Sequence, residues 1–125
     1  MRIALCICPQ WSVQTPSFAI GSLKSHIKNK DVEVEQFDLN IRTSLYTKEK
    51  NIQKFWDWGN DTPWNSEANF KDEILPHFKD LWHEYIDKLA EYDVVAFTTY
   101  ISNIVTTDYI ACLLYTSPSP RDPVS

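Results

Sequence analysis

Apolar residues in this chain gather into two short runs, one near each end, with an alternating stretch and segments of helical period between them. The first run, Arg2-Ile-Ala-Leu-Cys-Ile-Cys8, is almost unbroken. A strand buried on both faces of a parallel sheet reads this way. Pro9 ends it, because proline has no N–H for a ladder. Ser17 follows Pro16 as a candidate helix cap. Phe18, Ile20, Leu23 and Ile27 then recur at roughly helical spacing, with Lys24, Lys28 and Lys30 on other faces. Residues 29–31 form a turn. Residues 32–38 are a second strand, with Val32 and Val34 alternating against Glu33 and Glu35. Such a strand–helix–strand crossover is right-handed and parallel.

Residues 39–65 are less regular. A short helix is expected within residues 42–55, and residues 56–64 combine turn formers with Trp56, Trp58 and Trp64. From Ser66 onward, Phe70, Ile74, Phe78, Leu81, Trp82, Tyr85 and Leu89 fall three and four apart. Their phase survives Pro76, which cannot donate to the carbonyl of Asp72. One kinked helix or two short helices end to end both satisfy this. Residues 93–98 are the third strand, and residues 104–111 begin another helix.

Three strands joined by helical crossovers predict an α/β domain. The expected architecture is a flavodoxin-like or Rossmann-like three-layer parallel sheet, truncated after about three strands; a complete flavodoxin-like sheet has about five. The third strand would be left as an apolar edge. In such sheets ligands sit outside the carboxyl ends of the strands, where the winding direction reverses. The polar loops at residues 9–15 and 98–103 are therefore the candidate site.

A length of 125 residues supports one small domain. A net charge of −5, with no cluster of Lys or Arg, argues against a nucleic-acid surface. No apolar run is long enough to span a membrane, and the first is too short for a signal-peptide core, so a cytoplasmic location is expected. Glycine occurs only as Gly21 and Gly59, too few for a phosphate cradle. Cys6 and Cys8 share one face of the first strand and read as small, reduced, apolar residues. His26, His77 and His83 lack metal-ligand spacing, so no metal site from protein side chains is expected. No Ser/His/Asp or Cys/His grouping assigns a catalytic residue. The carboxylates between Asp72 and Glu91 read as the solvated face of the long helix.

The C-terminal stretch departs from the rest in composition. Residues 112–125 become rich in Ser and Pro and lose apolar periodicity, as a disordered terminus does. The string CLLYTSPSPRD also resembles the translated read-through of a sequencing-library adaptor. On that reading the domain covers residues 1–111, and residues 112–125 are an artefactual disordered tail.

The loop sequences carry a resemblance. Cys8-Pro9 is followed by Pro16-Ser-Phe-Ala-Ile-Gly21-Ser-Leu23, then Val32-Glu-Val34 and Phe37-Asp-Leu-Asn-Ile41. The third strand runs Asp93-Val-Val-Ala-Phe-Thr-Thr-Tyr-Ile-Ser-Asn103. In this order, with a long insert between the second and third strands, the pieces resemble the N-terminal cobalamin-binding domain of radical SAM proteins. The likeness covers residues 2–41 and 93–111. Members that hold cobalt through a histidine carry DxHxxG after the first strand, and residues 8–13 offer no Asp, His or Gly. The resemblance therefore implies base-off cobalamin binding without a protein histidine ligand. Ala96 and Thr98 stand where the family has Gly and Ser. The CxxxCxxC motif for the 4Fe-4S cluster is absent from these residues, so the cluster and S-adenosylmethionine would belong to a C-terminal radical SAM domain, which the resemblance names as partner. The parent would be an enzyme, with methyl transfer among its possible reactions.

Cobalamin is large, amphipathic and rich in amides. Thr98, Thr99, Ser102 and Asn103 suit its amides and nucleotide tail, with Tyr100 in the same loop. Pro9, Gln10, Trp11, Ser12 and Thr15 suit the corrin face. The same residues also suit helix capping and turn formation, and both readings stand. Asp38, at the end of the second strand, reads more simply as a helix cap than as a ribose ligand. Trp56, Trp58 and Trp64 suit either a lid or ordinary packing. The alternatives to cobalamin are a flavin- or nucleotide-binding α/β domain, and an inert fragment or interaction domain that binds no small ligand.

Overall fold

The computed structural model describes residues 1–10, 24–25, 31–56 and 62–116. The three expected strands form one parallel sheet: β1 (Arg2–Ile7), β2 (Glu33–Asp38) and β3 (Val94–Thr98), in the order β2-β1-β3. Ile3 lies between Val34 and Val94, Leu5 between Gln36 and Ala96, and Ile7 between Asp38 and Thr98. The central position of β1 explains its unbroken apolar run, since both faces and both edges are covered. Of the helix expected from Ser17, Lys24 and Ser25 are described and are helical; the rest lies outside the described residues.

Helix α1 (Leu39–Glu49) leaves β2 with no loop between them, earlier than the sequence pattern placed it. Its buried face is Leu39, Asn40, Thr43, Ser44 and Thr47. A mostly polar buried face has no apolar period to read. Two of its hydroxyls are satisfied within the helix: Thr43 Oγ1 donates to the Leu39 carbonyl at 2.7 Å and Thr47 Oγ1 to that of Ser44 at 2.6 Å. Asp38 Oδ1 accepts from the Ile41 N–H at 2.9 Å, so this acid is the helix cap.

Helical turns at Thr62–Asn65 and Glu67–Asn69 lead through a π turn, Phe70–Ile74, into α2 (Leu75–Leu89). The Leu75 N–H reaches back five residues to the Phe70 carbonyl. This wider turn places Pro76 in the first turn of α2, where its missing N–H costs nothing. The helical run is thus continuous from Glu67 to Leu89, and the π turn keeps its apolar residues in phase. After a 3-10 turn, Ile101–Asn103, α3 spans Ile104–Thr116. It continues past residue 111, where the sequence pattern placed the start of a disordered tail, and Leu113 and Leu114 pack on the core. Residues 117–125 lie outside the described residues.

One face of β1 presents the small side chains of Ala4 and Cys6, and the same row ends at Cys8; all three are fully buried. Small side chains there leave room for rings. Trp82 stacks on Phe70 with centroids 5.8 Å apart and on Phe78 at 5.4 Å, and Trp64 lies 5.7 Å from Phe78. Such pairs contribute about 0.5–1.5 kcal/mol each beyond area burial. The Trp82 indole N–H donates to Thr43 Oγ1 at 3.1 Å, which ties α2 to α1. The opposite face holds Leu5 and Ile7, with Ile3, Val34 and Tyr100 against them. Cys6 and Cys8 are free thiols, and their mutual hydrogen bond together with burial pushes Cys6 well above the usual thiol range. They serve as small core residues. Among the described residues, no helix is long and apolar enough to cross a membrane.

A polar clamp holds the amino ends of the strands. The Arg2 guanidinium lies 4.4 Å over the Tyr92 ring and within 3.7 Å of Glu33 and 3.9 Å of Glu35. The Tyr92 hydroxyl donates to Glu35. The Arg2 N–H donates to Asp93 Oδ2 at 2.8 Å, and the Asp93 N–H returns to the Arg2 carbonyl at 2.9 Å.

Burial, then the hydrogen bond to Glu35, raises the Tyr92 phenol above its ordinary value of 10.0. The folded state keeps a proton that the unfolded chain releases above about pH 10. This contribution is full below that pH and is lost as pH rises through the folded pKa. Tyr92→Phe should flatten the alkaline fall in stability, as read by urea unfolding at about pH 8 and about pH 11.

Candidate functional site

The loops after β1 and β3 leave neighbouring strands at the same end of the sheet. In the order β2-β1-β3 the chain winds from β1 to one side and then crosses to the other. The winding therefore reverses between β1 and β3, where a crevice is expected. The side chain of Asn103 lies in this position and is fully buried. Its Nδ2 donates to the Cys8 carbonyl and to the Thr98 carbonyl, both at 3.2 Å. Its Oδ1 accepts from the Tyr100 N–H at 2.7 Å. One amide thus joins the end of β1, the end of β3 and the turn that opens α3. Of the two uses open to Asn103 in the sequence, capping is the one observed, and its amide protons are committed to the backbone.

Around this clamp, Pro9 is buried, Gln10, Thr98 and Tyr100 are half-buried, and Thr99 is exposed. Pro9, Gln10, Thr98, Thr99, Tyr100 and Asn103 are therefore gathered at one end of the sheet. Trp11, Ser12 and Thr15 lie outside the described residues. Thr107 Oγ1 donates to the Asn103 carbonyl at 2.8 Å. The hydroxyls of Ser102 and Thr106 behave differently: both are buried without a hydrogen-bond partner. Ser102 lies in the 3-10 turn and Thr106 four residues on, in the first turn of α3. A buried hydroxyl left unpaired costs about 1–3 kcal/mol, so this spot favours an added polar atom. Ile101, in the same turn, is 90 % exposed and Ile104 is 48 % exposed. The loop thus combines buried hydroxyls with exposed apolar side chains.

The aromatic insert reaches this end through Gln10, whose Nε2 donates to the Trp56 carbonyl at 3.4 Å. Trp56 meets Trp64 edge-on at 5.4 Å. Trp64 is buried in the core, with its indole N–H on the Phe55 carbonyl at 2.7 Å. It is packing rather than a lid; Trp58 lies outside the described residues. His77 rests on the Phe55 ring at 4.4 Å, and His83 Nε2 is 3.1 Å from the Tyr109 hydroxyl, whose pKa is raised by burial. No group of three His, Cys, Asp or Glu is placed to hold a metal among the described residues. A groove of about 280 Å³ lies elsewhere, between Glu67, Phe70 and Lys71 on one side and Val105, Asp108 and Tyr109 on the other. None of the predicted site residues among the described ones lines it.

Sequence reasoning missed Thr106 and the exposure of Ile101. The signal for Thr106 was present: Asn103, Thr106 and Thr107 put polar residues on the buried side of a helix whose other buried residue is Ile110.

Comparison of the chain with protein-family models, with curated proteins and with solved structures finds no match.

Asn103→Ala should destabilise the fold by about 1–3 kcal/mol, because it strands buried backbone groups at both loops. Asn103→Asp would set a carboxylate against two carbonyl oxygens, which raises its pKa. Its stability should then be highest at acid pH and fall as pH rises through that pKa. Denaturant unfolding of both variants across pH reads this directly.

Proposed function

We propose that this chain binds a cobalamin, base-off and without a protein histidine on cobalt, at the carboxyl edge of its sheet. The observation that carries the reading is the Asn103 clamp, which ties Cys8 after β1 to Thr98 at the end of β3, at the point of reversed winding. The order β2-β1-β3 is also that of the first three strands of a flavodoxin-like sheet, which supports assigning the finer fold to that class.

The residues present fit such a ligand. The unpaired hydroxyls of Ser102 and Thr106 mark a polar demand beside the loops, and Thr98 and Thr99 add hydroxyls suited to peripheral amides. Ile101 and Tyr100 offer apolar surface for the macrocycle, and Gln10 borders the same edge. When bound, cobalamin supplies a cobalt centre able to carry a methyl group. The chain's own part is to orient the ring and to cover one face. We assign the chain, on its sequence resemblance, to the N-terminal part of a cytoplasmic radical SAM enzyme. The 4Fe-4S cluster and S-adenosylmethionine would then be held by a partner radical SAM domain.

Visible-spectrum titration with hydroxocobalamin and with cob(II)alamin tests the reading. Capture should shift the absorption bands and raise the melting temperature. Thr99→Val leaves the Asn103 hydrogen bonds in place and should weaken capture roughly three- to tenfold, the worth of one hydrogen bond. No spectral change with either form, from a chain shown to be folded by circular dichroism, overturns the proposal. Quenching of flavin fluorescence in the same assay would favour the flavin alternative.

A further inference from the structure

The groove of about 280 Å³ lies between two helical segments that pack on one core. Glu67, Phe70 and Lys71 share one wall, because residues three and four apart lie on the same side of a helix. Val105, Asp108 and Tyr109 repeat that spacing on α3 and form the other wall. Buried Phe70 meets half-buried Tyr109 with ring centroids 5.8 Å apart, so the interior is aromatic. His83 Nε2, 3.1 Å from the Tyr109 hydroxyl, holds that ring in place. The charges at the rim do not balance. Lys71 Nζ lies 3.8 Å from Glu67 Oε1 on its own wall, so these two offset each other. Asp108, on the opposite wall, is exposed and forms no ion pair among the described residues.

We infer that this groove binds a small organic cation, an ammonium group carried on an apolar or aromatic body. The body enters between Phe70, Val105 and Tyr109, and the ammonium pairs with Asp108. Two features select this occupant. Apolar walls with a few charged groups at the rim suit a small ligand that is apolar at one end and charged at the other. Aromatic rings attract a cation and repel an anion. The sign of the charge follows from the pairing at the rim. Lys71 is the one cation among the described lining residues, and Glu67 already holds it. An anionic ligand would therefore meet the unpaired carboxylate of Asp108 with no cation left to offset it. The selecting groups all precede residue 112 and lie outside the loops after β1 and β3. Neither the terminal stretch nor the cobalamin reading bears on them.

Titration of the full chain with phenethylammonium, followed by amide-resolved NMR, tests the inference. Saturable shifts should centre on Lys71, Asp108 and Tyr109. Phenethyl alcohol, of the same shape without the charge, should bind about two- to fivefold more weakly, the worth of one exposed ion pair. Hydrocinnamate, which carries a carboxylate instead, should bind more weakly still. These three ligands are compared on the unaltered chain, so the result does not depend on a variant folding. Asp108→Asn, an exposed and nearly isosteric change, should bring the ammonium down to the affinity of the alcohol with an unchanged far-UV spectrum. Lys71→Ala releases Glu67 and should leave ammonium binding equal or stronger. Hydrocinnamate binding as tightly as the ammonium overturns the inference. So does a preference for the ammonium that survives Asp108→Asn, or the absence of saturable shifts at these residues up to the solubility of the ligand.

Discussion

The packing of aromatic rings against the small side chains of β1 is the constraint on which the structure depends. Ala4, Cys6 and Cys8 leave a shallow trough on one face of the sheet, and Phe70, Phe78, Trp82 and Trp64 belong to the same buried core. Larger residues on β1 would push those rings outward. Smaller rings would leave voids that a small domain cannot tolerate. The π turn at Phe70–Ile74 follows from the same demand. It accommodates Pro76 while keeping Phe70 and Ile74 on the side of the helix that faces the core.

Two polar networks complete what the rings begin, one at each end of the strands. At the amino ends, Arg2 gathers Glu33, Glu35, Tyr92 and Asp93. At the carboxyl ends, Asn103 bridges β1, β3 and the turn before α3. The difference in burial is the point of interest. The amino-end network is largely solvated, so screening limits its worth. Asn103 is fully buried, so its hydrogen bonds hold the loop geometry firmly.

Much of the fold was legible in the residues, and for identifiable reasons. β1 and β3 are apolar and short, α2 has a clean three–four spacing, and each is bounded by Pro, Asn or Asp. α1 was misplaced because its buried face carries Asn40, Thr43, Ser44 and Thr47, which look like a loop to any reading based on hydrophobic period. The end of α3 was misplaced because composition changes at residue 112 while helical hydrogen bonding continues to Thr116. For the site, the loops themselves were visible from their position after apolar strands. The division of labour within them was not. Asn103 proved to be a clamp, and Trp64 a core residue, because a side chain's partners depend on segments distant in sequence.

The sequence alone determined the alternation of strands and helices and the parallel character of the sheet, since both follow from local periodicity and from the length of the crossovers. It also determined which loops follow the strand ends. Only the tertiary structure decided that Asn103 spends its amide on the Cys8 and Thr98 carbonyls, that Ser102 and Thr106 are left buried without partners, and that β3 stands outermost among the described strands. The physical reason is distance along the chain. Hydrogen-bond satisfaction and edge exposure arise between residues far apart in sequence, and no local pattern encodes which of them will meet.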